Sequence, residues 1–556
     1  MKKRMLSLML AVSLISSMLA GCGNKEAADT KEAATQAATE AAAAETEKAA
    51  SEEKAEAKVE VPSEPTDGGT LTIALSSSPM HLDPVKYTGT YEAQIIYQIC
   101  DTVVIYDQEL AEIKPNIATS WEIVDDITYV FEIRDDVWFH PGKYVGASGR
   151  LMTAEDVAYS LNRSAKESAM NRVDMLDYAE VVDDTHVKCV LKAPTSTFLT
   201  ALTNAGNVIV PKEEVEGWGD EFGAHLVGTG PFVMESFELD NQTVMTKNEK
   251  YFVEAPHLDK VIFKVVTDPN QRVNALLSGD INIAMQLTGE TVQTVDQSEA
   301  VTLMRRPGIQ INYGIFNTTN GPTADPKVRE ALLMAVDSES LAKGVYQYGE
   351  GEAHKLALPK GSWGYDASLE ADVPAYDIEG AKALLAEAGY PDGFEMTCWI
   401  TNEAIRQKAC TILQAYWAQI GVNMKIETVE WGVFSEKVSS GQADFYAMGW
   451  TWYPDPYFFL NKMFHSSAIG STGNGGNYNN PEVDRLLDEA LVKTDQDERA
   501  ALYKEALKII TNDDVGVYYG NAYECLGIEP KVQDFYQRAD GTIKLVTPEE
   551  NVWLAQ

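Results

Sequence analysis

The chain has 556 residues, 45% hydrophobic and 23% charged, with a formal net charge of −39. This length exceeds what one compact core supports and predicts two or three domains. The excess of acidic over basic residues leaves no basic surface for phosphate groups, which argues against nucleic-acid binding. The hydrophobic fraction is typical of a soluble globular protein.

The first 21 residues have the pattern of an export signal. A basic start, MKKR, precedes an apolar run over residues 5–20 that is short for a membrane span. The run ends in Leu19-Ala-Gly-Cys22, which resembles the bacterial lipobox, whose cysteine is lipidated and becomes the first mature residue. We expect an exported protein anchored by lipid at Cys22 to the outer face of the cytoplasmic membrane. The alternative is an ordinary secretory signal with a chance cysteine.

Residues 22–66 predict a flexible spacer after the signal. They are rich in Ala, Glu, Thr and Lys and contain little to bury. The later cysteines are odd in number and none has CxxC spacing, so we expect neither a disulfide framework nor a metal site, and no cofactor. Two of them, Cys398 and Cys410, lie in apolar segments that indicate core positions.

The first folded part predicts antiparallel sheet with helices. Strands are predicted at 70–76, 120–124, 128–134, 178–182 and 186–191, and a helix at 91–103. Thr153 and Asp156 have the spacing of a capping box at a helix start. After Pro326 the pattern changes to alternating elements: helices at 326–336, 377–388, 403–420 and 433–440, strands at 395–401, 423–429 and 444–449, and a further helix from Pro481. This alternation predicts a parallel or mixed sheet covered on both faces, with ligands at the carboxyl ends of its strands.

The segment from Met448 to Phe459, MGWTWYPDPYFF, begins at such a strand end; we call it the aromatic loop. It holds six aromatic residues, two prolines and one acid. The prolines disfavour helix, so the loop can hold aromatic faces and a carboxylate in fixed positions for a ligand. The alternative is that the aromatic side chains are simply core. A later segment, 470–476, is rich in glycine but has no phosphate-loop lysine, and we interpret it as a mobile surface loop.

Several blocks together resemble the extracellular solute-binding proteins of peptide and nickel ABC transporters, family 5. In chain order they are LDPVKYTGTYE, VFEIRDDVWFHPGK, TAEDVAYSLNR, GTGPF, TKNEKYFVEAPHLDKVIF, NALLSGDINIA, DPKVREALLMAVD, YDIEGAKALLAEAGYPDGF and NNPEVDRLL. The resemblance covers residues 68 to 550. It implies an α/β fold of two lobes and a hinge: lobe I at 68–106, 228–313 and 525–556, an inserted subdomain at 107–227, and lobe II at 314–524.

The resemblance also implies the function. Such a receptor, a monomer in our expectation, closes its lobes over a peptide and delivers it to an ABC permease and its ATPase. A ligand favours the closed state only by its differential affinity for that state. Receptors that sense a ligand without transport remain an alternative. An extracellular hydrolase is disfavoured because the chain has no HExxH, no GxSxG and no SxxK with its supporting motifs.

The aromatic loop departs from the pattern of peptide-binding relatives. Many carry GWTADYPDP, whose first aspartate pairs with the peptide's ammonium, whereas here Trp452 stands at that place. Either Asp455 takes this role or the ligand has no free amino terminus there. A peptide is our first expectation; an oligosaccharide or other neutral solute is the rival, and a nickel chelate a weaker one, tested best at His465. The candidate ligand residues are Tyr87, Thr88, Arg406, Trp450, Trp452, Tyr453 and Asp455.

Overall fold

The computed structural model describes residues 64–555. The signal peptide, Cys22 and the spacer up to residue 63 lie outside the described residues, so the predictions for them remain predictions. Within 64–555, no helix is both long enough and apolar enough to cross a membrane.

The first half of the described chain contains runs of strands separated by helices. The strands are β1 (Thr70–Leu75), β2 (Val104–Tyr106), β3 (Ile113–Pro115), β4 (Ala118–Asp125), β5 (Thr128–Ile133), β6 (Leu176–Asp183), β7 (His186–Leu191), β8 (Phe232–Glu238), β9 (Gln242–Lys247), β10 (Lys260–Val265), β11 (Ile283–Ala284) and β12 (Thr302–Phe316). The helices are α1 (Thr90–Ile99), α2 (Ala154–Glu167), α3 (Phe198–Leu202), α4 (Lys212–Trp218), α5 (Pro269–Leu277) and α6 (Glu290–Asp296).

The second half is richer in helix. Its helices are α7 (Pro326–Met334), α8 (Ser338–Val345), α9 (Ile378–Glu387), α10 (Ala404–Ala418), α11 (Trp431–Ser439), α12 (Tyr457–Phe464), α13 (Pro481–Val492) and α14 (Gln496–Asn512). Its strands are β13 (Gly351–Glu352), β14 (Glu395–Ile400), β15 (Asn423–Thr428), β16 (Phe445–Trp450), β17 (Gly516–Ile528), β18 (Val532–Gln533), β19 (Val546–Thr547), β20 (Glu550–Asn551) and β21 (Trp553–Leu554).

Two long strands connect the halves. One sheet runs β15-β14-β16-β12-β17-β11-β1-β10-β9-β8, with β13 on β17. The amino-terminal part of β12 pairs only with β17, whereas from Ile311 onward it pairs with both β17 and β16. The register shifts between Pro307 and Ile311. We propose that the lobes meet at this shift, a few residues before the predicted boundary at 313.

Each half has its own apolar core. Leu71, Ile95 and Phe263 belong to the first. In the second half, neighbouring residues of β16 face opposite sides: Phe445 packs into one apolar cluster and Tyr446 into another. This part of the sheet is therefore covered on both faces, as predicted for alternating strands and helices.

The residues of the predicted inserted subdomain include a separate antiparallel sheet, β4-β5-β7-β6. Helix α2 covers it and begins with the predicted capping box between Thr153 and Asp156. Phe131, Val157 and Phe198 are fully buried in its core. The predicted limits of this subdomain, 107 and 227, remain a proposal.

The strand directions confirm most of the sequence interpretation and correct one part. β14 pairs in parallel with β15 and with β16, as the alternation predicts. The first half, however, is not purely antiparallel, because β1 pairs in parallel with β10 and β11. Those partners lie far along the chain from β1, so local sequence does not reveal the pairing.

The five cysteines of the described chain are all buried and free. Cys398 and Cys410 lie in the core as predicted, with their Sγ atoms 3.5 Å apart.

Candidate functional site

The aromatic loop leaves the sheet at the carboxyl end of β16, next to parallel strand β14. Only its middle is irregular: α12 begins at Tyr457, directly after Pro456 at the N-cap. The position agrees with the rule that ligands bind at strand carboxyl ends. The final aromatic residues belong to a helix, which the sequence analysis did not predict.

The aromatic side chains divide into buried and exposed members. Phe458 and Phe459 are core residues, whereas Trp452 is 48% exposed. Trp450 is held in place because its Nε1 donates a hydrogen bond to the carbonyl oxygen of Phe458 at 2.8 Å. The rings of Trp452 and Phe458 are nearly parallel, with centroids 6.1 Å apart. Trp452 is therefore a supported aromatic face that is open to solvent.

A cavity of ≈ 690 Å³ lies between this loop and the first half of the chain; we call it the cleft cavity. Tyr87, Thr88 and Arg172 line one side, and Trp452 and Tyr453 the other. Its volume lies within the usual range for small-molecule sites, which are mostly apolar with a few placed polar groups. The cavity thus brings together four predicted site residues from distant parts of the chain.

Arg172 is one of several charged residues of the cleft cavity that sequence analysis missed. Its guanidinium lies 3.9 Å from the centroid of the Tyr87 ring, and its Nη2 donates to the Tyr87 carbonyl oxygen at 3.2 Å. No carboxylate of residues 64–555 pairs with it. No local motif marks this arginine; only the fold brings it beside Tyr87.

Two tyrosines offer neutral hydroxyl groups to the cavity. Burial raises the pKa of Tyr453 to about 12, partly offset by the positive charge of Arg172. Burial also raises the pKa of Tyr87, whose hydroxyl donates to Asn204 Oδ1 at 2.7 Å. Both side chains are therefore uncharged phenols at neutral pH.

Asp455 does not line the cleft cavity, and we correct its assignment as a ligand residue. Its side chain is 0% exposed and accepts from Arg499 Nη2 at 2.8 and 2.7 Å. The backbone N–H of Tyr457 donates to Oδ1 at 3.0 Å, and the Thr200 hydroxyl lies 3.4 Å from Oδ2. Because every oxygen already has a partner, this carboxylate is a structural ion pair.

Arg406 and Trp450 also lie outside the cleft cavity. Arg406 is 9% exposed and donates to Glu403 Oε1 at 2.7 Å and to the Thr401 hydroxyl. These contacts hold it at the start of α10, so we assign the predicted carboxylate-binding role to Arg172 instead, as a proposal. Trp450 lines a second, smaller cavity of ≈ 450 Å³, as does His465.

Comparisons with known proteins identify the family of the chain. Residues 112–471 match the bacterial extracellular solute-binding proteins, family 5 middle region. Heme-binding protein A of Haemophilus influenzae is 30% identical over 515 residues, covering 87% of this chain and 93% of that protein. The dipeptide-binding protein of Escherichia coli is 28% identical, covering 80% of this chain and 87% of its own length.

Solved structures show the same two-lobed architecture. HbpA2 from Haemophilus parasuis has a TM-score of 0.81 at 27% identity, covering 87% of this chain and all of that one. DppA from Helicobacter pylori, in complex with the peptide STSA, has a TM-score of 0.68 at 27% identity, covering 88% and 99%. The family consists of binding proteins rather than enzymes. The chain belongs to the bacterial extracellular solute-binding proteins of family 5 and has their two-lobed α/β fold.

Proposed function

We propose that this protein captures peptides in the cleft cavity and delivers them to an ABC permease and its ATPase. The observation that supports this most directly is a cavity whose walls come from both halves of the chain. A ligand that touches both walls binds the closed state more tightly than the open one, and this difference drives closure. Dipeptide-binding and di/tripeptide-binding proteins are among its relatives.

Arg172 is the proposed partner of the peptide's carboxylate. A guanidinium can donate two parallel hydrogen bonds to a carboxylate, and the Tyr87 ring and carbonyl oxygen hold the guanidinium of Arg172 in place. Asp540 also lines the cavity and forms no salt bridge in the described chain; its Oδ1 accepts from the backbone N–H and the hydroxyl of Thr542. We propose it in place of Asp455 for the peptide's ammonium, which is costly to bury without an opposite charge.

Lipidation at Cys22 and the spacer complete the proposal. The lipid would hold the receptor at the outer face of the membrane, and residues 23–66 would give the lobes reach toward the permease. Metabolic labelling with a clickable fatty acid tests this directly. Labelling of the wild type that is lost in Cys22→Ser supports the anchor, and unlabelled wild type refutes it.

An oligosaccharide or another neutral solute remains the rival ligand, since Trp452 offers an exposed flat face. Relatives are also named for heme and glutathione binding. Mass spectrometry of the ligand released from gently purified protein separates these classes. Released peptides, with or without a sugar, support the proposal; sugars or porphyrins released without any peptide contradict it.

Calorimetric titration with dipeptides then tests whether Arg172 binds the ligand. Arg172→Met should weaken binding at least tenfold, about 1.4 kcal/mol, with an unchanged melting temperature. Arg485→Met is the matched control, because Arg485 is exposed and pairs only with Glu482 and Glu489 on α13. Equal affinities of the wild type and Arg172→Met would remove Arg172 from the site.

An uptake assay in cells that carry a cognate ABC permease and ATPase separates transport from sensing. Loss of labelled-peptide uptake on deletion of this receptor supports delivery. Intact uptake with an altered transcriptional response would indicate a sensor.

A further inference from the structure

A second cavity of ≈ 450 Å³ lies wholly within the second half of the chain. Its walls come from Trp450, helices α12 and α13, and the segment that follows α12. Part of the glycine-rich segment belongs to it. Gly473 lines the cavity and is buried, as are the next three residues, so this part of the segment is not the surface loop expected from its composition. The cavity is a formed feature of the fold.

A buried polar group in this cavity lacks a partner. Asn461 lines the cavity and is only 8% exposed. Its side-chain Oδ1 has no hydrogen-bond partner among the described residues. A buried amide oxygen without a hydrogen-bond donor destabilises a protein. The packing of α12 alone does not require an unpaired amide at this position. A donor group on a ligand would satisfy it.

His465 presents a hydrogen-bond donor on the same wall. The backbone N–H of Ser467 donates to its Nδ1 at 3.0 Å, so the proton of the neutral ring is on Nε2. That Nε2 lies 3.2 Å from Asp488 Oδ1 but does not make a well-aligned hydrogen bond to it. The carboxylate of Asp488 is largely exposed and keeps free acceptor capacity.

The charges around the cavity favour a neutral ligand group. Lys462 and Asp488 both line it and carry opposite charges. An anion attracted by Lys462 would be repelled by Asp488, and a cation attracted by Asp488 would be repelled by Lys462. Trp450 and Trp452 supply aromatic faces whose planes differ by 23°. Aromatic faces beside separate donors and acceptors suit a ring that has an apolar face and a rim of hydroxyl groups.

We propose that this cavity binds a neutral polyhydroxylated ring, as in a sugar. Its hydroxyl groups would donate to Asn461 Oδ1 and Asp488 and accept from His465 Nε2 and Lys462. Trp452, Tyr457, Lys462 and Leu491 line both this cavity and the cleft cavity. The sugar is therefore either free or attached to a ligand whose other part lies in the cleft. This second binding site goes beyond the proposed function, and sugar binding there does not depend on peptide binding in the cleft cavity.

The test is saturation-transfer NMR with two probes: a panel of neutral hexoses and N-acetylhexosamines, and dipeptides that carry one such sugar. We expect transfer to the sugar protons in the wild type, reduced at least tenfold in Asn461→Leu and Asp488→Asn. Glu489→Gln is the matched control, since Glu489 neighbours Asp488 on α13 but pairs with Arg485 away from the cavity. A signal from free sugars identifies a free ligand, and a signal from the glycosylated dipeptides alone identifies an attached one.

Stability distinguishes ligand binding from a structural role of Asn461. Leucine has a higher helix propensity and leaves no amide unpaired, so Asn461→Leu should keep or raise the melting temperature while abolishing sugar binding. Absence of transfer with both probes, or transfer that both variants retain, overturns the proposal. Unmodified dipeptides report on the cleft separately, because Asn461 does not line the cleft cavity.

Discussion

Replacing Asp455 with Asn should destabilise the second lobe and leave ligand affinity nearly unchanged. The substitution keeps the side chain's shape but removes the charge that faces Arg499, whose side chain is only 7% exposed. Arg499 also lies between Trp363 and Tyr503, at 5.0 and 5.6 Å from their ring centroids, and cannot reach water without repacking. Breaking a buried pair by removing one partner costs about 3–5 kcal/mol.

The measurement is urea denaturation followed by tryptophan fluorescence, with calorimetric titration of the ligand identified by mass spectrometry. We expect a loss of about 3–5 kcal/mol in the free energy of unfolding and a dissociation constant within threefold of the wild type. Asp497→Asn is the surface control on the same helix as Arg499 and should change stability by no more than about 0.5 kcal/mol.

A double substitution separates the ion pair from simple packing. Asp455→Asn with Arg499→Met removes both charges, so it should recover part of the stability that either single change loses. The reasoning is refuted if Asp455→Asn weakens binding tenfold or more while the denaturation midpoint stays unchanged. That result would return Asp455 to the ligand site.

Three further substitutions test other parts of the structure. Trp452→Ala should weaken ligand binding at least tenfold without lowering the melting temperature, because the side chain is half exposed; a parallel loss of both would indicate core packing. Burial lowers the pKa of His140 to about 4, whereas the unfolded chain takes up this proton near 6.5. Stability therefore falls by about 3 kcal/mol as pH drops through that window, and His140→Gln should flatten this part of the stability–pH curve; an unchanged slope contradicts the assignment. Thr153→Ala should cost about 1 kcal/mol in the inserted subdomain by loss of the capping box, seen as a lower denaturation midpoint.

Local sequence predicted many elements of the second half closely but missed others, among them α8, α12, α14 and β17. The helix predicted at 403–420 runs from Ala404 to Ala418, and the strand predicted at 423–429 from Asn423 to Thr428. These elements follow from apolar periodicity, caps and glycine stops, which act within a few residues of the chain. The family resemblance rested on the order of many short blocks and correctly indicated the two-lobed fold.

The composition of the site was decided by tertiary structure. An aspartate between two prolines has the same local sequence whether its side chain faces a ligand or an arginine. Arg499, the ion-pair partner of the buried Asp455, lies in α14, and helices α12 and α13 separate the two residues along the chain. The same holds for Arg172, which only the fold places on Tyr87. Local sequence sets backbone conformation, but burial and charge pairing depend on contacts between distant segments, and those contacts determine which side chains remain free for a ligand.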